Sequence, residues 1–260
     1  MKDQYGEVAV AREEHVAVLT IDRPPHNHVT VELMRDLADA LDHIDAEREL
    51  RASLLMSAGK NFCAGADLVS PSGIVNPNAR EGINALYIEA VRLFATRKPI
   101  VCAVQGAAVG AGLGLALVAD FRVAAPEARF TANFVKLGFH PGFGITHTLP
   151  RVIGEQRAAL MCLTGRRIKA EEALAWGLVD EVVPLVELRD AALRLAREIA
   201  EAAPLAVQAT RATLRRELAE KVKSQTDHEF IEQSALRRTN DFAEGVRAVT
   251  ERRPGRFTAS

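Results

Sequence analysis

The chain has few cysteines, little net charge and no motif of a metal site, and each shortage excludes a class of protein. Among its 260 residues are three cysteines without a CxxC spacing, which argues against a disulfide framework or a zinc site and favours a reducing compartment. A net charge of −1 gives no general attraction to nucleic acid or to an anionic membrane. The polar first residues predict no targeting segment. We therefore expect a cytoplasmic protein that binds no metal and no nucleic acid.

One apolar stretch, residues 100–119, is long enough to be tested as a membrane span. Gln105 is its only strongly polar side chain, and twenty residues satisfy the length rule for a spanning helix. However, residues 100–104 are typical of a buried strand, and Gln105-Gly106 interrupts the run at a turn. The helical part that follows is too short to span a bilayer, so the sequence predicts no membrane segment.

The order of the predicted strands and helices indicates the α/β class. Apolar patterning and turn residues predict strands at 8–10, 16–21, 52–56, 100–104, 121–125, 128–131 and 178–183, and helices at 30–44, 82–96, 147–152, 155–163 and 170–176. Residues 69–80 are rich in proline and asparagine and predict a surface loop. From Leu188 onward the pattern is helical. We expect a core over 1–187 and a helical region for oligomerisation or site closure over 188–260.

Two glycine-rich turns carry the strongest chemical signal. Ser57–Leu68 and Val104–Leu115 each follow an apolar strand-like segment, and the second turn leads into an apolar helix. Unpaired N–H groups at such a turn or helix start can bind an anion. Prepositioned N–H donors also stabilise the charge that develops on a carbonyl oxygen in acyl chemistry. The pair of turns therefore predicts a site for one negatively charged oxygen.

The order and spacing of several segments resemble the enoyl-CoA hydratase/isomerase (crotonase) family over nearly the whole chain. The segments that carry the resemblance are Ile21–Pro24, Ser57–Leu68 around Phe62–Asp67, Lys98-Pro99, Ala103–Gly106, Gly110–Asp120, Leu163–Gly165, Glu171–Val183 and Glu244–Phe257. This resemblance implies a spiral of ββα units that assembles as a homotrimer or a dimer of trimers. It also implies an acyl-CoA thioester as substrate, with coenzyme A as part of that substrate and no separate cofactor.

The resemblance also assigns candidate site residues by position. The two oxyanion donors of the family fall on the backbone N–H groups of Ala66 and Ala111, which are the candidate catalytic amides. Several further positions would contact the coenzyme A or the acyl group: Ala64, Gly65, Asp67, Leu68, Gly110, Gly114, Phe134 and Phe257. Phe257 resembles the C-terminal closure over the nucleotide. Asp67 could instead simply cap its turn, as Asp often does.

The chain departs from the hydratase pattern at the two positions where that pattern has glutamates. These positions fall on Gly114 and Phe134, and neither side chain can transfer a proton. The two residues could instead shape an apolar acyl slot. His140 lies in a glycine-flanked loop nearby and is the candidate acid or base, since histidine titrates near neutral pH. The alternative is that His140 only orders its loop.

Three classes of function stay open at this point. The first is an enzyme that stabilises a thioester enolate, for hydration or isomerisation, or for hydrolysis, decarboxylation or carbon–carbon cleavage, which could operate with fewer glutamates. The second is an acyl-CoA-binding protein without turnover, which the missing glutamates suggest. The third is a nicotinamide-dependent dehydrogenase, suggested by the glycines after a strand, although the turn has no GxGxxG match.

Overall fold

A computed structural model describes residues 2–67 and 82–260 of the chain. The predicted surface loop at 69–80 and the candidate site residue Leu68 lie outside the described residues.

The described strands form two sheets. The strands are β1 Gln4–Tyr5, β2 Val8–Glu13, β3 Val16–Ile21, β4 Ala52–Ser57, β5 Ile100–Val104, β6 Ala107–Val109, β7 Phe121–Ala124, β8 Arg129–Thr131, β9 Arg167–Lys169 and β10 Glu181–Val182. Seven of them form the larger sheet in the order β1-β2-β3-β4-β5-β7-β10, and β6-β8-β9 form the smaller one. Pairing is antiparallel from β1 to β3 and parallel from β3 to β10.

Helices fill the connections between strands and the C-terminal third. They are α1 Val31–Ala46, α2 Gly82–Phe94, α3 Ala111–Val118, α4 Ile145–Ile153, α5 Glu155–Thr164, α6 Ala170–Trp176, α7 Leu188–Glu201, α8 Pro204–Leu214, α9 Leu218–Leu236 and α10 Asn240–Thr250. A short 3-10 helix, Asn133–Leu137, precedes α4. The predicted α/β class with a helical C-terminal region is confirmed.

Helix α1 shows how local sequence determines an element of the core. The Thr30 side chain accepts a hydrogen bond from the main-chain nitrogen of Leu33 and so caps the helix. The predicted apolar positions on one helical face, Leu33, Leu37, Leu41 and Ile44, are all buried. The spacing of apolar residues in the sequence therefore predicted correctly which face of α1 is buried.

The two faces of the larger sheet are covered by different helices. One face belongs to a large core that also includes α1, α2 and α3. The other face is covered by α7, whose Leu188, Ala192 and Ala196 pack with residues of β3, β4, β5 and β7. Helix α7 belongs to the region predicted to start at residue 188, yet it packs across the sheet of the preceding region.

The structure corrects the predicted strands. The predicted strand at 178–183 is reduced to Glu181–Val182, because residues 177–180 form a turn after α6. Strands β1, β6 and β9 were not predicted. Ala107–Val109 is only three residues long and lies within a glycine-rich segment, so no periodicity could mark it.

The apolar run at 100–119 is divided as expected. It contains β5, β6 and the eight-residue helix α3. Across residues 2–67 and 82–260, no helix has both the length and the apolar character required to cross a membrane.

Candidate active site

The two glycine-rich turns lie side by side. Cys63 forms a parallel bridge with Ala108 of β6. The main-chain nitrogen of Cys63 donates to the Ala107 oxygen at 2.8 Å, and the nitrogen of Val109 donates to the Cys63 oxygen at 3.0 Å. The two predicted turns therefore belong to one structure, joined through the backbone.

Two glycines permit this close approach. A Cβ atom at Gly112 would collide with the carbonyl oxygen of Cys63. Gly65 has a φ of +98°, which favours glycine, and a Cβ atom there would lie 2.8 Å from the carbonyl oxygen of Val109. Larger residues at either position would push the turns apart.

A third segment supports the first turn from the opposite side. The main-chain nitrogen of Ala64 donates to the His26 oxygen at 3.0 Å, and the nitrogen of Val29 donates to the Gly65 oxygen at 2.9 Å. The His28 ring also contacts the Gly65 oxygen, with Nδ1 at 3.2 Å. Main-chain hydrogen bonds thus hold the first turn on both sides, through Cys63 on one side and through Ala64 and Gly65 on the other.

Ala66 and Ala111 occupy equivalent positions beyond the bridge. Each lies three residues after its member of the Cys63–Ala108 pair. Ala111 is the first residue of α3, so its N–H has no partner within the helix. Within the described ranges, neither N–H donates to another main-chain oxygen. Both residues line the same cavity.

This cavity encloses about 600 Å³ of space, including its open mouth. Its wall is mostly apolar and is built from both turns, α2, the segment from Asn133 to Phe143 and α9. The described residues that line it are Ala64, Gly65, Ala66, Leu86, Tyr87, Val109, Gly110, Ala111, Asn133, Phe134, Leu137, Phe139, Gly142, Phe143 and Gln233. The structure thus brings six predicted residues together around one cavity: Ala64, Gly65, Gly110 and Phe134 join Ala66 and Ala111.

Phe134 and Gly114 contribute to this wall in different ways. Phe134 lines the cavity directly, and its Cζ atom would lie 3.5 Å from a Cβ atom placed at Gly110. Gly114 lies behind the cavity wall, where a Cβ atom would come within 2.6 Å of Cδ1 of Phe143. The space predicted for an acyl group beside Gly114 is therefore filled by the Phe143 ring.

The other predicted residues lie away from this wall. His140 is half-buried, its Nδ1 lies 2.7 Å from the Pro141 oxygen, and its ring packs edge-on against His228. Asp67 follows Ala66, and its main-chain nitrogen contacts the Val29 oxygen at 3.5 Å. Phe257 is 45% exposed in the segment after α10. The side chains of His140, Asp67 and Phe257 are not among those that line the cavity of this chain.

Sequence reasoning missed the polar pair in the cavity. The Tyr87 hydroxyl donates to Oε1 of Gln233 at 2.7 Å, and Nε2 of Gln233 donates to the His140 oxygen at 2.8 Å. Burial, together with the charge of Glu229, raises the pKa of Tyr87, although its hydrogen bonds act in the opposite direction. The hydroxyl therefore stays protonated at neutral pH. Gln233 lies on a polar face of α9, and nothing in the sequence indicated that this face points into the protein.

A buried carboxylate lies one helical turn before Gln233. Glu229 is fully buried, accepts from the main-chain nitrogen of Gly144 at 2.8 Å and accepts from the Thr146 hydroxyl at 2.6 Å. It thereby caps the start of α4. Burial raises the pKa of Glu229 to about 7, and the hydrogen bonds from Thr146 and Gly144 reduce the effect.

The cysteines and the charged side chains indicate neither nucleophile nor metal site. Burial raises the pKa of the Cys63 thiol to about 12, so it is not a thiolate at neutral pH. No group of three or more His, Cys, Asp or Glu side chains in the described part of the chain could hold a metal ion.

Comparison with known proteins identifies the family. The family model described as "Enoyl-CoA hydratase/isomerase" matches residues 11–260. The chain belongs to the enoyl-CoA hydratase/isomerase family. It is 36% identical over 252 residues to "1,2-epoxyphenylacetyl-CoA isomerase" of Escherichia coli (strain K12), covering 95% of this chain and 96% of that protein. It is also 36% identical over 258 residues to "(E)-benzylidenesuccinyl-CoA hydratase" of Thauera aromatica, covering 96% and 98%.

A solved structure of the same family shares the fold. The enoyl-CoA hydratase/isomerase from Pseudoalteromonas atlantica T6c superposes with a TM-score of 0.88 at 32% sequence identity, covering 97% of this chain and all of the other. The predicted family and the predicted crotonase-like fold are confirmed. Membership of the enoyl-CoA hydratase/isomerase family also argues against the dehydrogenase alternative.

Proposed function

We propose that this member of the enoyl-CoA hydratase/isomerase family is an acyl-CoA-processing enzyme that stabilises a thioester enolate between the N–H groups of Ala66 and Ala111. The observation that carries the proposal is the matched position of these two amides on one cavity wall. Both lie three residues beyond the Cys63–Ala108 bridge, and neither donates to a described main-chain oxygen. Two such donors favour an enolate over the neutral thioester.

The Cα and Cβ atoms of the acyl group would lie against the apolar wall of the same cavity. Phe134 and Phe143 supply much of this wall. A dry, apolar surrounding strengthens the interaction of the two N–H groups with a developing negative charge. We assign no proton transfer to His140, because its ring lies outside the cavity wall.

A second candidate is an acyl-CoA-binding protein without turnover. It is favoured by one observation: the described residues that line the cavity include no carboxylate. Ordinary hydration needs a base for water and an acid for Cα, and Gly114 and Phe134 supply neither. Reactions that could operate with fewer glutamates, such as decarboxylation, hydrolysis or carbon–carbon cleavage, belong to the enzyme proposal.

The decisive variant is Ala111→Pro, which deletes one N–H. Proline is tolerated at the first position of a helix, where its missing N–H would have no helical partner. The preceding residue, Gly110, has a φ of +53° and a ψ of −117°, a conformation that glycine can adopt. The matched control is Ala111→Gly, which keeps the N–H.

The assay uses crotonyl-CoA and a panel of saturated, branched and carboxylated acyl-CoAs. We expect wild type and Ala111→Gly to turn over at least one thioester, and Ala111→Pro to lose about 10²- to 10³-fold in kcat. Equal kcat for the proline and glycine variants would contradict the role of Ala111. Tight acyl-CoA binding by wild type with no turnover on the whole panel would establish the second candidate.

We further propose that the protein assembles as a homotrimer or a dimer of trimers in the cytoplasm, with coenzyme A entering only as part of the substrate. Support for self-association comes from the apolar surface of α8, where Leu205 and Leu214 are 80% and 72% exposed. Light scattering during size-exclusion chromatography tests the assembly. A monomeric mass across a range of concentrations would contradict it.

A further inference from the structure

The cavity wall is apolar except for a small group of polar side chains. Asn133, Tyr87 and Gln233 reach this wall, and the last two are bonded to each other. Tyr87 is 5% exposed and Gln233 is 1% exposed, so both polar groups are shielded from bulk water. Polar groups are rarely placed in such a wall without a hydrogen-bonding role.

The direction of each hydrogen bond in this pair is determined by the His140 carbonyl. A carbonyl oxygen can only accept, so the group of Gln233 at 2.8 Å from it is the amide nitrogen. The amide oxygen of Gln233 therefore faces Tyr87, and the Tyr87 hydroxyl must donate to it at 2.7 Å. The proton of the Tyr87 hydroxyl therefore lies in the hydrogen bond to Gln233.

Among the residues that the structure describes, this arrangement leaves one N–H of Gln233 as a donor and one lone pair of Tyr87 as an acceptor. The amide of Gln233 has two hydrogens, and the His140 oxygen takes one of them. The Tyr87 oxygen has two lone pairs, and the main-chain N–H of Phe143 faces one of them. A ligand group that accepts from Gln233 and donates to Tyr87 would complete the pair, and a hydroxyl group can do both.

Gly142 brings the pair to the cavity. A Cβ atom at this position would lie 2.6 Å from Nε2 of Gln233 and closer still to the Tyr87 oxygen. Gly142 lines the cavity together with Tyr87 and Gln233, and it has no side chain that could cover the pair. Any larger residue at 142 would displace the pair or cover it.

We propose that Tyr87 and Gln233 are specificity-determining residues that select acyl groups carrying a hydroxyl group. This inference rests on the proposed function, since it requires an acyl-CoA thioester in the cavity. The hydroxyl of the acyl group would accept from Nε2 of Gln233 and donate to the Tyr87 oxygen. A plain alkyl chain would leave both groups without that partner.

Binding of matched thioesters to the full chain tests the proposal. Butyryl-CoA is compared with 3-hydroxybutyryl-CoA and 4-hydroxybutyryl-CoA by isothermal titration calorimetry. We expect wild type to bind at least one hydroxylated thioester about tenfold more tightly than butyryl-CoA. This comparison needs no variant, so a folding defect cannot obscure it.

Variants then assign the preference to the pair. Tyr87→Phe keeps the ring and removes the hydroxyl, and the double variant Tyr87→Phe/Gln233→Met removes both polar groups together. Tyr87→Phe alone leaves Oε1 of Gln233 without its donor, whereas the double variant leaves the His140 oxygen without its donor, so thermal unfolding of both variants is measured beside binding. Tyr87→Phe should reduce the preference for the hydroxylated thioester, and the double variant should bind the two classes of thioester equally. Tyr5→Phe, which changes the chain's only other tyrosine, should keep the wild-type preference.

The outcomes separate this inference from the proposed function. Failure of wild type to bind any of the three thioesters overturns both. Equal binding of butyryl-CoA and both hydroxylated thioesters overturns the inference and leaves the proposed function in place. A preference that persists in the double variant also overturns the inference, because the discrimination would then arise elsewhere in the cavity.

Discussion

Gly114 lies directly against the Phe143 ring: a Cβ atom at position 114 would come within 2.6 Å of Cδ1 and 2.8 Å of Cγ. Phe143 is 1% exposed and lines the cavity from the other side. The absence of a side chain at 114 therefore makes room for an aromatic ring, and that ring occupies the place where a longer residue at 114 would extend.

Gly114→Ala should destabilise the protein by about 1–3 kcal/mol, because overpacking of a close-packed core forces neighbours to move. Its free energy of unfolding is measured by urea titration. Adding Phe143→Leu, which removes ring atoms, should reduce the cost of Gly114→Ala, whereas an additive double-mutant cycle would contradict direct packing.

The contact between Gly114 and Phe143 also affects a variant that carries glutamates at the two positions of the hydratase pattern. Gly114→Glu with Phe134→Glu would place carboxylates where the hydratase pattern has them, but the first change collides with Phe143. We expect crotonyl-CoA hydration to rise from a very low base only when Phe143→Ala accompanies both changes. The initial rate of hydration is followed by loss of the enoyl absorbance. A rapid hydratase activity already present in wild type would contradict this expectation.

Glu229 should make stability depend on pH between about 4.5 and 7. Its folded-state pKa of about 7 lies above the ordinary value of 4.5, so the folded protein keeps the proton longer than the unfolded chain. The resulting stabilisation is complete below pH 4.5 and is lost as the pH rises through 7, a change of about 3 kcal/mol.

Glu229→Gln is the matched reference, since its amide oxygen can still accept from Thr146 in place of Oε1 and the side chain does not titrate. The difference in unfolding free energy between wild type and this variant should shrink by about 3 kcal/mol from pH 4.5 to pH 8, again from the shifted pKa. Parallel curves for the two proteins would show that the carboxyl is not perturbed.

Asp120 joins α8 to the sheet through a buried ionic contact. Its carboxylate lies 2.9 Å from Nε of Arg211 and 2.9 Å from Nη1 of Arg215, and it accepts from the nitrogen of Ile100. Burial alone would raise the pKa of Asp120, but the two guanidinium groups outweigh burial and hold that pKa below its ordinary value. The stabilisation is therefore present above that ordinary value and is lost as the pH falls.

Asp120→Asn should cost about 3–5 kcal/mol at neutral pH, because it leaves two buried guanidinium groups without their carboxylate. Asp227→Asn is the control: it removes an exposed pair with Lys223 and should cost less than about 1 kcal/mol. Chemical denaturation of the two variants measures both values. Similar losses would mean that burial of the Asp120 contact adds nothing.

Features with a local cause could be predicted from the sequence. Helix α1 has its cap at Thr30 and one apolar face, and the strand segments around 16–21 and 52–56 are continuous apolar runs. The two glycine-rich turns were also recognisable, since glycine is required where backbones approach closely.

Features that depend on distant parts of the chain could not be predicted. Tyr87 and Gln233 are separated by 146 residues, and only the packing of α2 beside α9 brings them together. His140 follows Phe134 closely in sequence, which suggested a place in the cavity. The His140 ring instead contacts the Pro141 oxygen and the His228 ring, and neither contact could be read from the order of residues.

The contact between Gly112 and the Cys63 carbonyl has a consequence for how this protein can change. The separation of the Ala66 and Ala111 nitrogens depends on main-chain hydrogen bonds and on residues with little or no side chain. Substitutions among the larger residues of the cavity leave those main-chain bonds intact. If the proposed function holds, exchange of side chains such as Phe134 is expected to fit the cavity to new acyl groups while the distance between the two amides stays constant.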